Sequence, residues 1–123
     1  MERAGQRAEV IRRLEARRVA DPDNPRVLLY LGLVESEVLA PRSEGLLRRA
    51  ADRFAAERNA QGEVYARISL GVFLRTGGRV DEAAPEVKRA AEIAERTGDR
   101  ELAGLTLVHR ALQAHEAGDV TAA

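Results

Sequence analysis

A chain of 123 residues is one domain's worth, and 45% hydrophobic residues are enough to bury a real core. Aromatics make up only 3% and Trp and Cys are absent, so the core is Leu, Val, Ile and Ala, and disulfides, thiolate metal sites and Cys nucleophiles are excluded. Twenty basic residues balance twenty acidic ones, which argues against a polyanion partner. No apolar run approaches the roughly 20 residues of a membrane span, and MERAGQRAEV has no apolar signal core. The expectation is a soluble, cytoplasmic, mostly helical domain with no nucleic-acid or membrane partner.

Breakers lie at Asp21-Pro22-Asp23-Asn24-Pro25, Pro41 to Ser43, Asn59 to Gly62, Thr76-Gly77-Gly78, Thr97-Gly98-Asp99 and Gly118-Asp119. Between them the chain predicts six helices, near 3–19, 26–39, 43–59, 62–76, 80–97 and 100–117. The first carries Val10, Ile11 and Leu14 on one face and Arg12, Arg13 and Arg17 on the other. In the second, Leu28, Leu31, Val34 and Val38 follow three- and four-residue steps, interrupted by Glu35. Leu46, Leu47, Ala50, Ala51 and Phe54 mark the third, and Val64, Ile68, Leu70, Val72 and Leu74 the fourth. The fifth has Val80, Ala83, Val87, Ala90, Ala91 and Ala94, and the sixth Leu102, Leu105, Val108 and Leu112. No stretch alternates with the period of two that a strand requires. Pro25 suits a first helical position, and Ser43-Glu44 and Asp81-Glu82 place acidic side chains at helix starts. Pro85, four residues after Asp81, is tolerable in or just past a first turn.

The chain repeats itself. Leu31-Gly32 recurs as Leu70-Gly71, and Arg49-Ala50-Ala51 as Arg89-Ala90-Ala91. The run from Arg75 to Ala83 is echoed from His115 to Ala123. All three matches share one spacing, about 40 residues, and a period of that length holding two helices implies stacked helical hairpins, each burying a face against its neighbour. Gly32 and Gly71 then mark points where two helices approach closely.

On Asp21-Pro22-Asp23-Asn24-Pro25 through Leu28 and Leu31-Gly32, and on Leu70-Gly71, Leu74, Ala83, Val87 and Ala90, the chain resembles the tetratricopeptide repeat family in its long-repeat bacterial form. It departs in its period of about 40 residues, longer than the family's usual one, and in Arg67, where a large aromatic is usual. The resemblance implies an all-α fold of antiparallel helical hairpins in a right-handed solenoid. It makes 1–123 one domain, with 2–59, 62–97 and 100–123 as partial and full repeats, either by itself or as a piece of a longer array. It also implies that the second, fourth and sixth helices line a concave groove.

In that register Leu29, Ile68 and Val108 form one ladder, and Leu33, Val72 and Leu112 a second. Arg26, Tyr65 and Leu105 lie toward one rim, and Ser36, Arg75 and His115 toward the other. Lys, Arg and Asn are missing from the ladders, so an amphipathic helix or apolar peptide is the expected ligand. Helical periodicity leaves core and groove equally open for these residues. An apolar ladder equally serves self-association, with the end helices packing on another copy.

Other signals stay local. The Arg-rich first helix is interspersed with Glu2, Glu9 and Glu15 and has no aromatic for base stacking, so it reads as a solvated face. His109 and His115 lack zinc spacing, and no Ser has a His placed as base. Neither an enzyme nor a cofactor or metal is expected. A protein or peptide is the expected partner, with a homo-oligomer as the alternative.

Overall fold

A computed structural model describes residues 3–36 and 41–116. The fold is all-α, with six helices and no strand among the described residues: α1 (Arg3–Ala20), α2 (Pro25–Ser36), α3 (Arg42–Ala56), α4 (Ala60–Thr76), α5 (Val80–Thr97) and α6 (Arg100–Glu116). Residues 37–39 of the predicted second helix, and the turn at Gly118-Asp119, lie outside the described residues.

The even-numbered helices share one kind of start. Asn24 Oδ1 accepts from the Arg26 and Val27 amides at 3.0 and 3.3 Å. Asn59 Oδ1 accepts from the Gly62 amide at 2.9 Å, and Asp99 Oδ1 from Glu101 and Leu102 at 2.9 and 3.1 Å. Each carboxamide or carboxylate satisfies amides that the helix leaves without partners. Asn59 therefore belongs to α4, which starts at Ala60 and not at 62, and α3 stops at Ala56 instead of 59. Arg58 turns the chain between them at φ +57°, and Gly98 does the same between α5 and α6 at φ +72°.

Every helix packs on the next in sequence, and α2–α4 and α4–α6 also touch. One apolar cluster joins α2, α3 and α4 through Leu28, Leu31, Leu47, Phe54 and Leu70, with Ile11 and Leu14 of α1 against it. A second joins α4, α5 and α6 through Val64, Ile68, Val87, Ile93 and Leu102. The two repeated glycines have matching surroundings. A Cβ on Gly32 would stand 2.8 Å from Leu47 Cδ2, and one on Gly71 2.8 Å from Val87 Cγ2. In both, the even helix lies against the helix that follows it, and Leu47 and Val87 keep the same spacing as the repeated motifs. Gly62, expected as a breaker, is a third close approach: the Phe54 ring lies where its Cβ would be.

Charged residues that interrupt apolar faces are paired. Buried Glu35 takes the Arg42 Nε at 2.6 Å, and Arg42 also reaches Glu15, which ties α1, α2 and α3 together. The hydrogen bond from Arg42 holds the Glu15 carboxyl below its ordinary range. Arg67 bonds Glu63 at 2.8 Å and Glu86 at 3.0 Å, and Glu86 in turn takes Arg48 at 3.2 Å. Burial alone would lower the Arg67 pKa, but its two carboxylate partners raise it. The ion pairs therefore run across α3, α4 and α5.

Candidate binding groove

A cavity of about 420 Å³ opens between α2 and α4. From α2 it is lined by Arg26, Leu29, Tyr30 and Leu33, which recur at three- and four-residue steps and so share one helix face. Gln61, Gly62, Tyr65 and Ser69 line it from α4, and Phe54 and Asn59 from the end of α3 and the turn after it. The glycine at 62 lets the Phe54 ring lie against the α4 backbone, and the Asn59 cap fixes where α4 begins. Ser69 Oγ donates to the Tyr65 carbonyl at 2.8 Å, which turns that hydroxyl back onto its own helix. Among the described residues Arg26 is the only charged side chain in the lining.

Aromatic residues converge here. The chain has two Tyr and two Phe, and three of the four line this cavity. Tyr30 is 52% exposed and Tyr65 42%, flanking a floor of buried Leu29 and Phe54 with Leu33 at the edge, 37% exposed.

Of the residues expected in the groove, Leu29, Leu33 and Tyr65 meet in this cavity, and Ile68, Val72, Arg75, Val108 and Leu112 do not line it. Along the ladder through 29, 68 and 108, Leu29 and Ile68 are buried, while Val108 is 57% exposed. Leu29 lies in the cluster that α2 shares with α4, and Ile68 in the cluster that α4 shares with α6. Val72 is half-buried against that second cluster. Val108 and Leu112, with Leu107, lie on the open face of α6. Tyr30, Gln61 and Ser69 are lining residues that sequence periodicity did not single out, and Phe54 was read only as an apolar position of the third helix. The scarcity of aromatics, with Tyr30 next to Leu29, was the available signal.

Arg75 sits between α4 and α6. Burial above all, and then the Arg75 charge, lower the His109 pKa. Gln113 Nε2 donates to the Val80 carbonyl at 3.0 Å, while His109 Nδ1 and Gln113 Oε1 are buried without a hydrogen bond. Among the described residues no group of three His, Cys, Asp or Glu could hold a metal ion, and no helix is long and apolar enough to cross a membrane. Comparison with family models, with curated proteins and with solved structures returned no match.

Proposed function

We propose that the chain is a non-catalytic protein-interaction module of stacked helical hairpins, similar to the tetratricopeptide type, that holds an apolar segment of a partner between α2 and α4. The stacked arrangement is supported by the packing of each helix on the next and by the matched surroundings of Gly32 and Gly71. The binding reading rests on one observation: both tyrosines of an aromatic-poor chain stand exposed over one apolar floor. Tyr and Arg are among the residue types that most often dominate binding energy at protein interfaces. Each fully buried apolar anchor would contribute about 1.5–3 kcal/mol. The test is partner capture from a host extract by the wild type and by Leu33→Glu with Tyr65→Ala, with circular dichroism to verify folding. The expected result is that captured proteins disappear with the folded variant; capture that is unchanged overturns the reading.

A second reading, self-association, is favoured by α6. Leu107, Val108 and Leu112 are exposed along it together with Ala103, Gly104 and Ala111. The corresponding face of α4 is covered by α5. The covering helix of a second copy is not α1, whose open side at Gln6, Val10, Arg13 and Arg17 is largely polar. The pairing would therefore join α6 to α6. Mass measured against concentration separates the readings, because Leu107→Glu with Val108→Glu abolishes such a dimer and leaves the α2–α4 cavity intact.

A further inference from the structure

The cavity between α2 and α4 is not evenly apolar along its length. On α2 it runs from Arg26 through Leu29 and Tyr30 to Leu33, two helical turns or about 10 Å. Its apolar part is the Leu29–Leu33 stretch between the tyrosines. Its other end is formed by the first turn of α2, with Arg26, and the first turn of α4, with Gln61. Two helix N-terminal turns thus border the end where the guanidinium stands, and helix N-termini carry partial positive charge. Among the described residues no carboxylate lines the cavity, and no ion pair joins Arg26 to any of them. By contrast, Arg42, Arg48, Arg67 and Arg79 are each bound to two carboxylates.

We propose that the segment held in this cavity is an acidic amphipathic helix, with an aliphatic or aromatic anchor between Tyr30 and Tyr65 and a Glu or Asp about one turn away, against Arg26. This rests on the binding reading above and adds the partner's charge and direction. A partner carboxylate at Arg26 gains a charge-assisted hydrogen bond beside two positive helix ends. A partner lysine there meets three sources of like charge. The sign at that end therefore fixes which way the helix lies, and the apolar anchor supplies most of the affinity.

The probe is a set of three capped helical peptides of about 16 residues, long enough to overhang the cavity at both ends. All carry Leu at three- and four-residue spacing, and they differ only in Glu, Gln or Lys one turn from the central Leu. Titration calorimetry at low salt is expected to give the Glu peptide roughly fivefold to tenfold tighter binding than the Gln peptide, with the Lys peptide weakest. Arg26→Gln is expected to erase the Glu–Gln difference, and Arg26→Glu to reverse the order of Glu and Lys. Added salt is expected to shrink the difference in the wild type. Arg26 is exposed on the first turn of α2, so both variants keep the helix; circular dichroism verifies this. Three peptides of equal affinity, all lost in Leu33→Glu, overturn the acidic partner and leave the cavity reading standing. Peptides that do not bind, or that bind equally well to Leu33→Glu, overturn both.

Discussion

Three glycines set how closely the helices lie, and they differ in what opposes them. Three Phe54 ring atoms lie within 2.3–2.6 Å of a Cβ placed on Gly62, and the ring is buried. Alanine gains about 1 kcal/mol in helix propensity but meets an overpacking cost of about 1–3 kcal/mol, and the clash here is at the upper end. Gly62→Ala is expected to lose about 2 kcal/mol in urea denaturation. At Gly71 the obstacle is Val87 Cγ2, a β-branched side chain with little rotamer freedom, so Gly71→Ala is expected to lose about 1 kcal/mol. Val87→Ala clears that space, and the double variant should cost less than the two singles added together. Additive losses would refute the contact. Gly32 and Gly71 were legible in the sequence because they recur with Leu31 and Leu70 before them. Gly62 was not, because it stands beside Asn59 like a breaker and its partner Phe54 lies on another helix. Arg58 makes the opposite case. It holds the left-handed turn that Gly98 holds after α5, at a cost of about 1 kcal/mol for a side chain. Arg58→Gly is expected to raise stability by that amount in the same denaturation experiment.

Helix boundaries were read to within one residue at the described ends other than the α3–α4 junction, because Pro, Gly, Asn and Asp punctuate the chain densely. Asn59 shows the limit: composition marks a break there, but only the hydrogen bond to Gly62 tells that the residue opens α4 and does not close α3. Pro85 shows another. It lies within α5, beyond the first turn from Val80, and the helix continues through it. Its ring nitrogen has no hydrogen to give the Asp81 carbonyl, so one rung of the helix is missing. Pro85 is exposed, and removing it disturbs no packing. Pro85→Ala is expected to raise the thermal midpoint, by an amount corresponding to about 1 kcal/mol or more. An unchanged midpoint would mean that α5 already begins, in effect, after the proline.

Across the molecule, charge is balanced by pairing, and this makes stability depend on acid. Hydrogen bonds from Arg79, and then Arg48, hold the Glu44 carboxyl below its ordinary value of 4.5, as Arg42 does for Glu15. A carboxylate lowered by folding stabilises the native state above its unfolded pKa, and that contribution fades as pH falls through the folded value. His109 has the same sign: burial and Arg75 lower it from 6.5, so its neutral form is favoured in the fold and acid favours the unfolded chain. The urea midpoint is expected to fall in two windows, one opening below about pH 6.5 and one below about pH 4.5. His109→Gln should remove the first window and keep the second; persistence of the first would assign it elsewhere. The all-α class was legible at this scale, since six periodic segments with no alternation admit no sheet. The cavity was legible only in part. Periodicity puts Leu29, Ile68 and Val108 on equivalent faces, but whether a neighbour covers that face changes from helix to helix. The packing of α1 through α6 has a mechanical outcome: among the described residues each outer helix packs on the one or two elements next to it in the chain, so tension applied between the two ends should peel helices away singly from either side, in a sawtooth of small forces, with α4 the last to give.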